Sequence, residues 1–258
     1  GEIYAGGGGG TPIQRAAGYE DASEDMYRYL MMAGGPDADA AKVRLYVDRS
    51  LEHFDWMRQQ DIPFKNSHIR ERILEPATDD CLVWSGSEEA WPFSAHARPC
   101  PRGFMPQWPG GGTGRQMMDV LAARVAELPI EVHLETRCTA LVVDPSGRVC
   151  GIAARSTGRT VFLQARRGVI LCAGGFIMNQ DMVRQHAPLA LRANRPIGAL
   201  DDGSGILLGQ SVGGHAIQMD EIFATLPQYP PEQNIHGIFI DGHGQRFINE
   251  DCYHGRVT

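Results

Sequence analysis

No two cysteines of this chain are spaced as Cys-x-x-Cys, although Cys81, Cys100, Cys138, Cys150, Cys172 and Cys252 are all present. That scatter argues against a structural zinc site or a redox dithiol and leaves isolated buried or half-buried thiols as the expectation. No histidines and carboxylates gather at metal-ligand spacing, so no metal site is expected, and no Gly-x-Ser-x-Gly elbow suggests a hydrolase. Positive charge is scarce: 24 Lys and Arg against 31 Asp and Glu give a net charge of -7. With no long run of either sign, the electrostatic footprint for nucleic acid is missing, and no nucleic-acid partner is expected. Nothing approaches the roughly 18 uninterrupted apolar residues of a membrane span, and no charged start with an apolar core marks a signal peptide. The default expectation is a cytoplasmic protein with no membrane span. No fixed-period repeat or sustained heptad pattern appears, which sets aside solenoids and coiled coils.

What is present suits a globular protein: 258 residues, 43% hydrophobic, with 31 Gly and 16 Pro. That length suggests one domain plus part of another. The chain starts at Gly1 without a methionine and stops at Thr258 after a busy polar motif, so a fragment of a longer protein is expected. Five consecutive glycines, Gly6 to Gly10, followed by Thr11-Pro12, allow positive φ and close approach to a ligand. Asp21-Ala22-Ser23-Glu24 reads as a helix start leading into Met26, Tyr27, Leu30 and Met31 at helical spacing. A longer helix is predicted from near Asp37 to before Pro63, with Val43, Val47, Leu51 and Phe54 on one face. Residues 76–112, carrying Trp84, Trp91, Trp108 and Gly110-Gly111-Gly112, predict a packed wall or lid.

Gly114 to Glu127 reads as a helix with Met118, Leu121, Val125 and Leu128 on one face, followed by an apolar strand over Ile130–Leu134. A β-meander is predicted over Ala140–Val143, Val149–Ala154 and Thr160–Gln164. Val169-Ile170-Leu171-Cys172 then reads as a parallel strand covered on both faces, ending in the turn Ala173-Gly174-Gly175-Phe176. Such a turn lies where open α/β sheets bind their ligands. Asn179 can cap a helix through Arg184, and Asp201-Asp202-Gly203-Ser204-Gly205 precedes a helix over Ile206–Val212. That helix start would place free N–H groups near an anion or a polar ring edge. The order of elements implies an α/β fold with an antiparallel insertion.

Four ordered segments carry a resemblance: GEIYAGGGGGTPIQRAAGYEDASEDMYRYL, the meander ending RRGVILCAGGF, DDGSGILLGQSVGGH, and GQRFINEDCYHGR. Together they resemble the flavoprotein family that contains fumarate reductases and 3-ketosteroid dehydrogenases, most strongly the ketosteroid branch. The resemblance implies FAD as cofactor and a Rossmann-like FAD-binding domain with an antiparallel β-meander insertion. It places a partial FAD-binding domain at residues 1–220 and the start of a substrate (capping) domain at 221–258. The family's GxGxxG turn and ribose-binding acid would precede Gly1, and a closing C-terminal segment would follow Thr258. Gly6, Gly7, Gly8, Gly9 and Gly10 with Thr11 resemble the loop that runs along the flavin, longer here than the usual triple glycine. By the same resemblance, Cys138, Thr139 and Ala140 match the strand at the adenine. Ala173, Gly174 and Gly175 match the turn beside the adenosine diphosphate, and Asp202 and Gly203 the turn near the ring system. Where dicarboxylate reductases carry His-Pro-Thr, this chain reads Met219-Asp220-Glu221-Ile222-Phe223, which makes fumarate the less favoured substrate. Arg246-Phe247-Ile248-Asn249-Glu250 resembles a motif of both branches, and Tyr253 falls where ketosteroid dehydrogenases place an active-site tyrosine.

The implied reaction removes two hydrogens from adjacent carbons beside a ketone. It needs a hydride acceptor, which the flavin N5 would provide, a base, and donors for the enolate oxygen. Tyr253 is the candidate proton-transfer group, and an unperturbed phenol pKa near 10 means that it needs help, with Arg256 and His254 as local candidates. Arg246 and Glu250, four apart, are expected to pair, and His215 and His236 to be ordinary strand-edge residues. Tyr229 beside Pro230-Pro231 reads as a hinge or rim, and the tryptophan-rich region as an apolar wall for a flat ligand. The implied partners are a small-molecule substrate, a steroid or similar cyclic ketone, and an unidentified electron acceptor. Two other readings stand beside this one: a flavin-dependent reductase of an activated double bond, and a truncated, non-catalytic fragment.

Overall fold

The first helix begins where chain chemistry demands it. Thr11 accepts a hydrogen bond from the Gln14 N–H, the Gln14 side chain accepts one from the Thr11 N–H, and Pro12 follows at the first helical position. This reciprocal cap ends the glycine loop and starts α1 (Pro12–Ala16). We describe a computed structural model covering residues 2–71, 78–84, 86–108, 113–193, 198, 200–224 and 237–253. The chain divides into two compact units, Gly1–Ile130 with Thr225–Thr258, and Glu131–Ala224. This division by compactness is distinct from the functional boundary expected at residue 220.

The first unit contains β1 (Ile3–Tyr4), α1, α2 (Ser23–Gly34), α3 (Ala40–Gln59), β2 (Leu82–Val83), α4 (Phe93–His96), β3 (Gly103–Phe104) and α5 (Thr113–Glu127). Its strands form a small antiparallel sheet in the order β1-β3-β2, with Ile3 opposite Phe104 and Leu82 opposite Phe104 on the other side. Ile3, Ile13, Phe54, Met57, Ile62, Leu82 and Phe104 close over this sheet as one core. Phe54 lies at its centre, 4.6 Å from the Phe104 ring and 5.0 Å from that of Phe64. A second cluster joins Tyr29, Ala90, Phe93, Ala97 and Cys252.

Helix boundaries follow capping chemistry more closely than apolar spacing. Asp39 accepts from the N–H groups of Ala41 and Lys42, so α3 starts three residues beyond the expected Asp37. Its buried face is Val47, Ser50, Phe54 and Met57, while Val43 and Leu51 are half-buried. On α2 the buried residues are Met26 and Tyr29, and the expected Tyr27, Leu30 and Met31 are half-buried. On α5 the face against the core carries Met117, Val120 and Leu121; Met118 and Leu128, expected inside, are exposed. The tryptophan-rich segment is a wall, but mainly through Cys81, Leu82, Val83, Trp84, Phe93 and Phe104; Trp91 is 74% exposed and Trp108 is exposed as well. Gly110-Gly111-Gly112 lies outside the described residues.

The second unit is built on the meander β4 (Thr136–Val143), β5 (Val149–Ser156) and β6 (Arg159–Gln164), paired antiparallel in that order. Gly151 is required in β5, because a Cβ there would come within 2.5 Å of the Leu163 carbonyl oxygen. Asn179 accepts from the Met182 N–H and starts α6 (Gln180–His186), a 3-10 turn spans Pro188–Arg192, and α7 (Ser204–Ser211) follows.

Two expected strands are not formed. Ile130–Leu134 and Val169–Cys172 carry no strand ladder among the described residues, and Leu134 and Ile170 are 80% and 88% exposed. An apolar run becomes a strand only where a neighbouring chain accepts its backbone hydrogen bonds, and the meander edges do not reach these two. Cys172 is correspondingly exposed rather than buried, while all six thiols are free. His215 is exposed in a loop and not at a strand edge. Tyr229, Pro230, Pro231 and His236 lie outside the described residues. Among the described residues, no helix is long and apolar enough to cross a membrane, and no His, Cys, Asp and Glu cluster could hold a metal ion.

Truncating the central ring tests this core: Phe54→Ala is expected to cost about 3–5 kcal/mol, read as a lower denaturant midpoint for the unfolding of the first unit.

Candidate functional site

In the first unit the glycine loop is tied down at every amide. The N–H of Gly6 donates to Ser50 Oγ at 3.0 Å, that of Gly7 to Asp21 Oδ2 at 2.8 Å, and that of Gly8 to Ser23 Oγ at 2.8 Å. Gly9 N–H donates to the Asp21 carbonyl, Gly10 N–H to the Gly7 carbonyl, and Thr11 N–H to Gln14 Oε1. The Gly10 carbonyl accepts from Arg15. Gly7 to Gly10 all have positive φ. Gly6 is needed for another reason, since a Cβ there would fall 2.2 Å from Asp21 Oδ2. At Gly9 a Cβ would meet nothing within 4 Å, so the loop shows one bare, open backbone face.

Asp21 is held in turn by Arg102. Nε donates to Oδ2 at 2.8 Å and Nη2 to Oδ1 at 2.7 Å, with the two side chains 0% and 1% exposed. Sequence reasoning reads Asp21 as part of a helix start and passes over Arg102, because nothing local marks a pair 81 residues apart.

Tyr253 belongs to the same unit. It lines an open cavity of about 460 Å3 with Glu2, Tyr4, Tyr29 and Gly86, and its N–H donates to Ser87 Oγ at 2.8 Å. Burial, then the nearby Glu2 charge, raise the Tyr253 phenol above its ordinary value, which makes it a proton donor unless a partner assists it. His254 and Arg256, the expected helpers, lie outside the described residues. Arg246 forks onto both oxygens of Glu250, and this bonding holds the Glu250 carboxyl down at about 2. The pair is therefore fully charged at neutral pH. Glu250 also accepts from the Phe239 N–H, a bond that organises the segment before Tyr253.

The second unit brings its expected residues into one knot. Gly203 N–H donates to the Gly175 carbonyl and Gly175 N–H to Asp201 Oδ1, while Gly205 leaves room only for Ala173, 2.7 Å from where its Cβ would stand. Gly174 and Gly203 both have positive φ, and a Cβ on Gly203 would fall 2.3 Å from Met182 Sδ. Asp202 accepts from Ser204 N–H through Oδ1 and from Arg137 through Oδ2 at 2.8 Å. Arg137 precedes Cys138, Thr139 and Ala140 on β4, so the meander is tied to the turn. Ser204, first by its hydroxyl and then by its N–H, together with Arg137, holds the Asp202 carboxyl down at about 2. The start of α7 thus already has its anion, and the expected free N–H at Ser204 is taken. A polar ring edge or a hydroxyl suits this turn better than a bare phosphate.

Residues 3–256 match the model of the FAD binding domain family. The chain belongs to that family. It is 40% identical to the structure of 3-ketosteroid-Δ4-(5α)-dehydrogenase from Rhodococcus jostii RHA1 in complex with 4-androstene-3,17-dione, with a TM-score of 0.89 over 100% of this chain and 54% of that one. Among curated relatives, the 3-oxosteroid 1-dehydrogenase of Mycolicibacterium smegmatis is 30% identical over 55% of this chain and 29% of its own length. The NADH:acrylate oxidoreductase of Vibrio harveyi is 23% identical over 93% of this chain and 24% of its own. The chain therefore spans about half of the solved neighbour and less of these curated relatives. The fold is that of an FAD-binding domain, and FAD is the cofactor of this flavoprotein family. The residues present fit that group in their chemistry: Gly9 in the first unit and Gly175 in the second each leave a backbone face with nothing within 4 Å of where a Cβ would stand.

The Asp202 knot makes a pH prediction. A carboxyl lowered in the folded state stabilises above its unfolded value, near 4, and loses that effect as pH falls towards about 2. Amide exchange protection at Ser204 and Gly175 is expected to drop over this window. In Asp202→Asn, Ser204 protection is expected to be already reduced at neutral pH.

Proposed function

We propose that the full-length protein is an FAD-dependent dehydrogenase acting on a CH–CH bond beside the ketone of a 3-ketosteroid or similar cyclic ketone. The observation that carries this reading is the match of all of this chain, at 40% identity, to 54% of a ketosteroid dehydrogenase structure. In this reading residues 1–220 belong to the FAD-binding domain and 221–258 open the substrate domain. Gly6 to Gly10 and Thr11 lie along the flavin, Cys138, Thr139 and Ala140 at the adenine, Ala173, Gly174 and Gly175 by the diphosphate, and Asp202 and Gly203 near the ring system.

Bound FAD supplies the two-electron acceptor. The chain's own residues do the rest: the glycine loop excludes side chains from one ligand face, and Tyr253 moves a proton at its phenol oxygen. The raised Tyr253 phenol suits protonation of a developing oxyanion or, with a base behind it, removal of the acidic proton beside the ketone. His254 and Arg256 are the sequence-adjacent groups proposed to assist it. An electron acceptor that reoxidises the flavin completes the cycle.

A second reading is reduction of an activated double bond in an unsaturated acid. It is favoured by the relatives that span 93% of this chain, among them the acrylate oxidoreductase and a cytochrome-type fumarate reductase of Shewanella frigidimarina. Anaerobic mixing separates the two. A saturated 3-ketosteroid is expected to bleach the visible flavin band of the FAD-loaded full-length protein, and Tyr253→Phe to slow that bleaching about 100-fold or more with flavin retained. Reoxidation of the reduced protein by acrylate or fumarate, with no response to steroid, would reverse the ranking.

A further inference from the structure

Behind the Tyr253 cavity lies a buried acid that the reaction as proposed does not use. Glu88 is 2% exposed, yet its Oε1 accepts from the Tyr4 hydroxyl at 2.9 Å and its Oε2 from the Gly86 N–H at 2.9 Å. Tyr4 and Gly86 both line the cavity with Tyr253. The cavity therefore has three phenols in its wall, Tyr4, Tyr29 and Tyr253; Tyr4 is the one whose hydroxyl donates to a carboxylate, while that of Tyr29 accepts from Ser87 N–H. The backing is built into the fold: Tyr4 is on β1, Ser87 N–H donates to the Tyr29 hydroxyl on α2, and Ser87 Oγ holds the Tyr253 amide.

We propose that Tyr4 is a second proton-transfer phenol of the Tyr253 cavity and that Glu88 is its proton acceptor. This rests on the dehydrogenase reading above and adds the route by which the released proton leaves. The substrate C–H bond beside the ketone breaks with its electron pair left on the substrate as the enolate, and the Tyr4 oxygen gains the proton. The original Tyr4 O–H bond breaks at the same time, and its proton passes along the 2.9 Å hydrogen bond to Glu88 Oε1. The Tyr4 oxygen ends with the bonds it began with and is regenerated as a neutral phenol, while Glu88 passes from carboxylate to carboxylic acid and holds the proton.

The surrounding charges suit that task. Burial, first, raises Glu88 above the ordinary carboxylate range, against lowering by its hydrogen bonds, that of Tyr4 included, and by the Arg102 charge. Tyr4 is raised by burial, then by Glu88 and Tyr29, and lowered by Arg102. Arg102 is committed to Asp21 through Nε and Nη2 and also acts on Tyr4 and Glu88 through its charge, so one cation faces two carboxylates and a phenol. Glu2 adds a further negative charge at the cavity beside Tyr253. An acid pushed upwards towards neutrality is a more effective acceptor for a phenol proton than an ordinary carboxylate.

Two measurements on the FAD-loaded full-length protein test the pair. With 13C-labelled glutamate, infrared titration is expected to show one carboxyl stretch that persists above the usual carboxylate range, vanishes in Glu88→Gln and shifts in Tyr4→Phe. Flavin reduction by a saturated 3-ketosteroid is expected to show an acidic limb from the same group, since an acceptor works only when deprotonated. That limb should disappear in Glu88→Gln along with about a 100-fold loss of rate, steroid affinity staying unchanged, and Glu88→Asp should restore part of the rate. A late-titrating carboxyl that is missing, or indifferent to Tyr4→Phe, overturns the proposal, as does an unchanged acidic limb in Glu88→Gln. If no steroid reduces the flavin, the substrate reading fails and the infrared titration still decides the pair. Retained flavin absorbance in each variant confirms that it is folded.

Discussion

The glycine loop of this protein has its shape because two opposite charges are buried together beneath it. Asp21 receives two hydrogen bonds from Arg102 and one from the Gly7 amide, and its carbonyl receives the Gly9 amide. The Arg102 carbonyl accepts from Ala5, which fixes the chain just before the loop. Taking two ions out of water costs several kcal/mol each, so the pair is not simply a source of stability. Its role is geometric: with no water to replace either partner, the loop has one arrangement in which all donors are satisfied. The second unit follows the same rule on a smaller scale, with Asp202 holding Ser204 and Arg137.

That arrangement changes what the glycines are for. A run of glycines beside a cofactor site suggests a nest of free amides for phosphate, but every amide from Gly6 to Thr11 already has an acceptor inside the protein. Gly6 is small because a carboxylate sits against it, Gly7 to Gly10 because φ is positive, and Gly9 opens outward. The loop can meet a ligand through its bare face and its carbonyl oxygens. It presents a fixed backbone face rather than a nest of free amides.

What could be seen in the sequence was whatever is decided within a few residues. Asn179 acts as a cap as the sequence implies, the three meander strands form and pair in the predicted order, and Arg246 finds Glu250 four positions on. Partners brought together over long separations left no trace: Asp21 with Arg102, Tyr4 with Glu88, Ser87 with Tyr253. Apolar runs misled where their pairing strand was taken for granted, as at Val169–Cys172. Spacing also misled in part on α5: Leu121 packs on the core as expected, but the face can be drawn through it with Met118 and Leu128 as readily as with Met117 and Val120, and only the neighbouring core chooses between them.

The two units also differ in what they do to a titrating group. Around the Tyr253 cavity, burial dominates and moves Tyr4, Glu88 and Tyr253 in the same direction, towards holding their protons. In the Asp202 knot the dominant influence is donated hydrogen bonds, and the carboxylate is locked in its charged form. For Glu88 burial moves the carboxyl towards neutrality and for the two phenols it keeps the proton on oxygen, whereas the Asp202 carboxylate stays charged and serves to hold backbone in place. Burial therefore governs the titrating groups of the Tyr253 cavity, and donated hydrogen bonds govern the Asp202 turn. This division follows from which atoms surround each carboxylate: for Glu88 a hydrophobic wall with two donors, for Asp202 an amide, a hydroxyl and a guanidinium at the edge of solvent.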